Sequence, residues 1–200
     1  LEFKPDFVWV KRRNGDNSHV LFDSVRGVHK YLVSSRTNVE GDNSIYLTSF
    51  NNGGFTSGNN GDMNGSDRTY VAWCWKAGGA AVSNSDGTIT SSISVNQEAG
   101  FSIVSYTGNG TTGATVGHGL GKKPAWILLK RRDSSDNFYV YHQFMNQGSN
   151  PEQYYSELNF HAGSTDSDKI HNDTAPTTSV FSLKNDNASN GNSATYLAYC

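Results

Sequence analysis

Two stretches of this chain are near copies of two others. Lys4-Pro5-Asp6-Phe7-Val8-Trp9-Val10-Lys11-Arg12-Arg13 aligns with Lys123-Pro124-Ala125-Trp126-Ile127-Leu128-Leu129-Lys130-Arg131-Arg132, with five of ten positions identical and four more apolar in both, at an offset of 119 residues. Thr69-Tyr70-Val71-Ala72-Trp73-Cys74 aligns with Thr195-Tyr196-Leu197-Ala198-Tyr199-Cys200, with four of six identical, at an offset of 126. Phe55 meets Phe181, and Asn64-Gly65 meets Asn190-Gly191, at that same offset. The blocks keep their order, so the sequence is expected to encode one structural unit twice, with loop insertions in the second copy. The units are placed at residues 1–79 and 80–200. The segment Trp75–Gly119 has no earlier partner; its counterpart is expected upstream of Leu1. Leu1 aligns with Leu120 and Cys200 with Cys74, so the parent polypeptide is expected to continue in both directions.

The local pattern of each unit is β. Phe7–Val10 and Trp126–Leu129 are short apolar runs that follow an X-Pro turn, as in strands buried on both faces. Tyr70–Trp75 alternates, putting Tyr70, Ala72 and Cys74 on one side and Val71, Trp73 and Trp75 on the other. Phe101–Thr107, Phe138–His142 and Thr88–Val95 are rich in β-formers. Asn-Gly or Asp-Gly recurs seven times, from Asn14-Gly15 to Asn190-Gly191, supplying the positive φ of tight turns. Asp23–Ser35 has a helical spacing of Val25, Val28 and Leu32, but Gly27 interrupts it, and it reads as a strand around Tyr31-Leu32-Val33. The expected fold is all-β: tandem antiparallel sandwiches.

Charged residues are 17% and aromatics 12% of the chain, too few and too many for disorder. A net charge of −2 gives no electrostatic footprint for nucleic acid, and no apolar run reaches the roughly 18 residues of a membrane span. Cys74 and Cys200 are one position seen twice, which argues against their forming a bridge.

A site that serves the unit's common task should occur in both copies, and no carboxylate pair does. Asp23, Glu40 and Asp42 have no evident counterparts, whereas glycoside hydrolysis needs two carboxyl groups flanking one bond. None of the six histidines forms a metal-binding spacing. His118, between Gly117 and Gly119, reads as a turn residue. Asp166-Ser167-Asp168 and Asp133-Ser134-Ser135-Asp136 could offer oxygens to Ca²⁺, but such clusters are ordinary in polar loops, and no cofactor is expected. The basic triplets Lys11-Arg12-Arg13 and Lys130-Arg131-Arg132 do recur. They are candidates for partner contact, weighed against solvated strand ends that deter edge-to-edge pairing. Tyr139 and Tyr141 are candidates for stacking on sugar rings, weighed against core positions.

Gly100–Gly110, Val116-Gly117-His118-Gly119-Leu120, Pro124, Thr174-Ala175-Pro176-Thr177 and the Tyr-x-Ala-x-Cys blocks, with Asp23-Ser24-Val25-Arg26-Gly27 and Lys76-Ala77-Gly78-Gly79, form a recognisable pattern. It resembles a repeated domain of uncharacterised function in structural and tail-fibre-like proteins of bacteriophages, marine phages especially. The resemblance covers nearly the whole chain. It implies a virion component with a concanavalin- or jelly-roll-like sandwich, and it carries no catalytic residues. The expected role is display and binding, to other virion subunits or to host-surface glycans, in a homo-oligomer, trimeric if a fibre. A lectin-like module and a polysaccharide-degrading enzyme are the alternatives.

Overall fold

The computed structural model describes residues 1–200, and its regular structure is almost entirely β. The strands are β1 (Phe7–Arg12), β2 (Val20–Asp23), β3 (Lys30–Val33), β4 (Gly41–Asp42), β5 (Leu47–Asn51), β6 (Gly54–Ser57), β7 (Tyr70–Trp75), β8 (Val82–Asn84), β9 (Ser91–Asn96), β10 (Phe101–Thr107), β11 (Ala114–Gly117), β12 (Trp126–Arg131), β13 (Phe138–His142), β14 (Tyr154–Glu157), β15 (Thr165–Asp166), β16 (Val180–Leu183) and β17 (Thr195–Tyr199). A five-stranded sheet runs β4-β3-β2-β1-β7 and an eight-stranded sheet runs β15-β14-β13-β12-β17-β10-β9-β8. Two small sheets, β5-β6 and β11-β16, complete the set. All the strand pairs are antiparallel.

The continuous apolar runs have a simple cause: both faces of each large sheet are covered. Successive side chains of a strand point to opposite faces. Along β1, Phe7 joins one core and Val8 and Val10 join another. The middle core lies between the large sheets, where Phe7, Leu21 and Leu32 meet Phe101, Ile103, Leu128, Leu197 and Tyr199. The outer face of the five-stranded sheet packs Val8, Val10, Val20 and Phe22 against Leu47 and Met63, with Phe50 and Phe55 of the β5-β6 hairpin alongside. The outer face of the eight-stranded sheet packs Ile127, Leu129, Tyr139 and Tyr141 with Val116, Phe181 and Leu183 of β11-β16. The result is a sandwich-like fold of antiparallel sheets in four layers. At about 25 cal/mol per Å² of apolar surface removed from water, these three cores supply the main favourable term in folding.

The segment from Asp23 resolves as a turn followed by β3. The Asp23 carboxylate accepts the Arg26 N–H, and Gly27 takes a φ of +90° that ends any helical path.

The two large sheets share details of order and register. In each, the strand carrying the Lys-Pro block is flanked by the strand carrying the Tyr-x-Ala-x-Cys block and by the strand that follows it in sequence. Trp9↔Trp73, Val10↔Ala72, Lys11↔Val71 and Arg12↔Tyr70 in one sheet stand beside Leu128↔Tyr199, Leu129↔Ala198, Lys130↔Leu197 and Arg131↔Tyr196 in the other. The preceding turns also agree. The Gly65 N–H donates to the Tyr70 hydroxyl, which donates to the Gly61 carbonyl; the Gly191 N–H donates to the Tyr196 hydroxyl, which donates to the Asn187 carbonyl. The five-stranded sheet takes all its strands from residues 7–75 and the eight-stranded sheet from residues 82–199. Both cysteines are free.

Candidate functional site

The four tryptophans, scattered in sequence as Trp9, Trp73, Trp75 and Trp126, come together in space. β1 and β7 are antiparallel neighbours with Trp9 opposite Trp73 and Phe7 opposite Trp75. The period of two then sends all four rings to the face of the five-stranded sheet that looks toward the eight-stranded sheet. The Trp9 and Trp73 centroids are 6.2 Å apart, edge to face, and those of Phe7 and Trp75 are 4.9 Å apart. Phe101, from β10, stacks 6.2 Å from Trp75. Trp126 enters from β12, and Trp9, Trp75, Phe7, Phe101 and Trp126 line a groove of about 410 Å³. Exposed Gln97, Lys122 and Lys123 form its rim. Trp73 and Trp75 stay 45% and 36% exposed on the edge strand β7. The Trp9 indole N–H is enclosed without an acceptor.

A second, polar groove of about 440 Å³ lies at the far side of the five-stranded sheet, around Asp16, Asn17, Arg36 and Asp62. Its aromatic rings are already engaged. Tyr31 stacks on Tyr46 at 4.4 Å, and Gly41 is so close to the Tyr31 ring that no Cβ would fit. Asp62 accepts from the Asn17 amide and the Tyr46 hydroxyl. Burial and that carboxylate raise the Tyr46 phenol to about 12.

The recurring basic triplets land in different surroundings. The Lys11 ammonium donates to the carbonyls of Arg12 and Gly15, Arg12 donates to Asn14 and Asn17, and Arg13 is exposed. Lys130, in contrast, is 1% exposed. Its ammonium donates to the carbonyls of Thr37 and Asp136 and sits 5.4 Å from the Phe138 ring centroid. Burial lowers its pKa to about 8. Arg131 pairs with Asp133, and Arg132 clamps both oxygens of Glu40 while also reaching the Ser105 hydroxyl. Lys130 and Arg132 therefore tie the two large sheets together, while Arg13 is exposed and Lys11, Arg12, Arg131 and Arg132 are each partly exposed. Tyr139 and Tyr141 are 3% and 1% exposed. Their rings lie under Tyr155 and His171, and the Lys169 ammonium stands 4.6 Å over Tyr139. Buried rings offer no face to a sugar; the exposed aromatic rings are Trp73 and Trp75 on β7 and Phe144 and Phe160 in the segment after β13.

Several of the acids set aside in the sequence are held in ion pairs. Asp23 and Arg26, both with fully buried side chains, form an ion pair. The Tyr199 hydroxyl donates to Asp23 at 2.8 Å, and Arg26 continues to Glu40 at 3.2 Å. Burial would raise the Glu40 carboxyl, but Arg132 and Arg26 outweigh it and hold it below the usual range. The same two arginines thus explain why residues of the first sheet's loops grip the second sheet. Asp42 pairs with Lys30, Asp133 with Arg131 and Asp168 with Lys184. No three metal-ligating side chains converge. His118 is fully buried, accepting the Leu120 N–H at Nδ1 and facing the Thr177 carbonyl with Nε2.

Sequence reasoning missed the tryptophan face because it needs two facts absent from one strand: which strands are neighbours, and which strand lies at the sheet edge. Strand alternation gave a partial signal, since it had placed Trp73 and Trp75 on one side of β7.

No curated protein and no solved structure matches the chain. One family does, over residues 1–200: a domain of unknown function, DUF7483. The match spans the five-stranded sheet, the eight-stranded sheet and the tryptophan groove between them, and the chain belongs to the DUF7483 family.

Proposed function

We propose that this chain is a structural and attachment module of a bacteriophage virion, from a tail, fibre or capsid surface, built from one folding unit written twice. Its work is binding, not catalysis, and its ligand is a host-surface glycan held in the tryptophan groove. Matching strand order, register and turn hydrogen bonds support the duplication. The resemblance to phage structural and fibre-like proteins supports the virion setting. Repeated weak sites on an oligomeric particle gain from avidity, so a shallow groove suffices.

The observation that carries the binding role is the open aromatic surface. Large exposed apolar patches mark interaction sites. Here flat rings form the floor, and the Gln97 amide and the Lys122 and Lys123 ammoniums stand at the rim. Flat apolar faces suit the C–H faces of sugars, while amide and ammonium donors suit their hydroxyl and carboxylate oxygens. Asp23, Glu40 and Asp42, by contrast, are each held by a cation.

The test is a panel of bacterial surface polysaccharides titrated against the chain, read by tryptophan fluorescence. A saturable change with at least one polysaccharide, reduced at least about tenfold in affinity by Trp75→Ala, is the expected result. Release of reducing ends during the titration would replace attachment with hydrolysis. No response from any polysaccharide would overturn the glycan assignment.

A further inference from the structure

The groove is made of side chains, but beside it lies a second feature made of backbone. In the eight-stranded sheet, β17 is paired on both sides, by β12 and by β10. The matching strand of the other sheet, β7, is paired by β1 alone and forms the sheet's edge. The Asp6 N–H donates to the Trp75 carbonyl, and the Arg13 N–H to the Thr69 carbonyl. Antiparallel pairing uses alternate residues, so the backbone groups of Tyr70, Ala72 and Cys74 point away from β1 into the open edge. Their counterparts in β17 are the residues that meet β10. Cys200 exchanges both backbone hydrogen bonds with Ser102, at 2.9 Å each.

The side chains show the same deficit. Tyr196 stacks on Tyr106 of β10 with centroids 5.1 Å apart, and Tyr70 has no such stacking partner. Ala198 and Tyr199 are buried to within 1%, while Ala72 is exposed and Trp73 is 45% exposed. An uncovered edge strand with exposed apolar residues is a template for another strand.

We infer that the β7 edge is a strand-addition site whose occupant is an extended polypeptide segment of the β10 kind, with paired β-branched apolar residues between serines and an aromatic near its end. The β10–β17 ladder pairs Ile103 with Tyr199, Val104 with Ala198 and Tyr106 with Tyr196. Transferred to β7, it sets the register: antiparallel, with the segment's isoleucine opposite Trp73, its valine opposite Ala72 and its tyrosine stacked on Tyr70. Main-chain bonds give such a complex its affinity, and alternate side chains give it specificity. The inference rests on the match between β7 and β17, not on the glycan assignment.

A synthetic peptide of sequence Gly100–Thr107 tests it, with amide hydrogen exchange of the whole chain as readout. The expected result is slowing of at least about tenfold at the Tyr70, Ala72 and Cys74 amides, while Val71 and Trp73, already bonded to β1, change little. A peptide carrying Tyr106→Ala should bind about tenfold more weakly. Ala72→Pro removes one outward donor and should weaken binding by a similar factor; exchange in the unmodified chain decides the matter if that variant does not fold. Absence of slowing at millimolar peptide would overturn the inference. So would slowing at β8 instead of β7, or protection of the same three amides in a peptide-free dimer joined β7 to β7. Polysaccharide titration of the peptide-free chain reads the groove separately, so either idea can fail alone.

Discussion

β7 and β17 have closely similar sequences and matching neighbours on one side, yet β7 is exposed or half-exposed at every residue and β17 is buried at all but its first. The difference is not in the strands. It comes from β10, β9 and β8, which extend the second sheet past β17 and have no counterpart beside β7. The cover on the outer face differs as well. The five-stranded sheet has a single hairpin, β5-β6, whose Phe50 and Phe55 are only partly buried. The eight-stranded sheet has β11-β16 and the long segment after β13, and its outer core holds 20 buried residues against 7. Burial is therefore a property of the layer that covers a residue, and matched residues should differ in energetic weight by the cover they receive.

Phe55 and Phe181 give the sharpest test of that rule, because they match at the same offset and sit in the two covers. Phe181 is fully buried, in edge contact with both Tyr106 and His171. Phe181→Ala should cost about 3–5 kcal/mol, the usual range for emptying a packed aromatic site. Phe55→Ala should cost less than half of that. Urea denaturation of the two variants measures both, and equal costs would break the comparison.

A smaller effect separates the covers by pH. His171 is 1% exposed, and burial lowers its pKa to about 4 from the ordinary 6.5. The unfolded chain then binds a proton that the folded chain refuses. The full contribution is present above pH 6.5 and is lost as pH falls from there toward 4, reaching about 3 kcal/mol. The five-stranded sheet's cover contains no buried histidine. His171→Gln should flatten the stability curve across that window, relative to the unmodified chain, in denaturation series run from pH 7 to 4.

Much of this architecture was legible in the sequence, and the limits of that legibility are physical. The apolar run Phe7–Val10 and the β-rich Phe101–Thr107 announce strands, because side-chain chemistry acts locally. Asn52-Gly53 closes the β5-β6 hairpin, with Gly53 at a φ of +88°. The repeated blocks point to the strands that would occupy matching places. What a strand cannot announce is the layer opposite it. Lys130 ends a strand just as Lys11 does, and nothing nearby in sequence says that residues 37–40 will close over it. Tyr139 and Tyr141 alternate like a half-exposed strand, but Val140 points into the middle core and both tyrosines into the outer one, so neither side is free. The tryptophan groove is the same case inverted: Trp73 and Trp75, which local pattern assigns to a core, stay partly open because β7 is a sheet edge.

The smallest expected effect turns on a single substitution that the molecule already contains. The Arg12 Nε donates to the Asn14 carboxamide oxygen at 3.0 Å, and the Arg131 Nε donates to the Asp133 carboxylate at 2.7 Å. Asn14 also accepts the Thr69 N–H, and Asp133 the Thr195 N–H. The two sites accept from matching donors but differ in charge and in one further bond, since the Asn14 amide also donates to the Asp67 carbonyl. Exposed pairs are typically worth about 0.2–1 kcal/mol and weaken with salt. Asp133→Asn should therefore cost no more than about 1 kcal/mol at low ionic strength, and the cost should shrink at about 1 M salt. Asn14→Asp should show no net gain, because it forfeits the amide's bond to the Asp67 carbonyl while adding a salt-sensitive pair with Arg12. A loss well above that range on Asp133→Asn, unaffected by salt, would mean that the carboxylate does structural work its neutral counterpart at Asn14 does not.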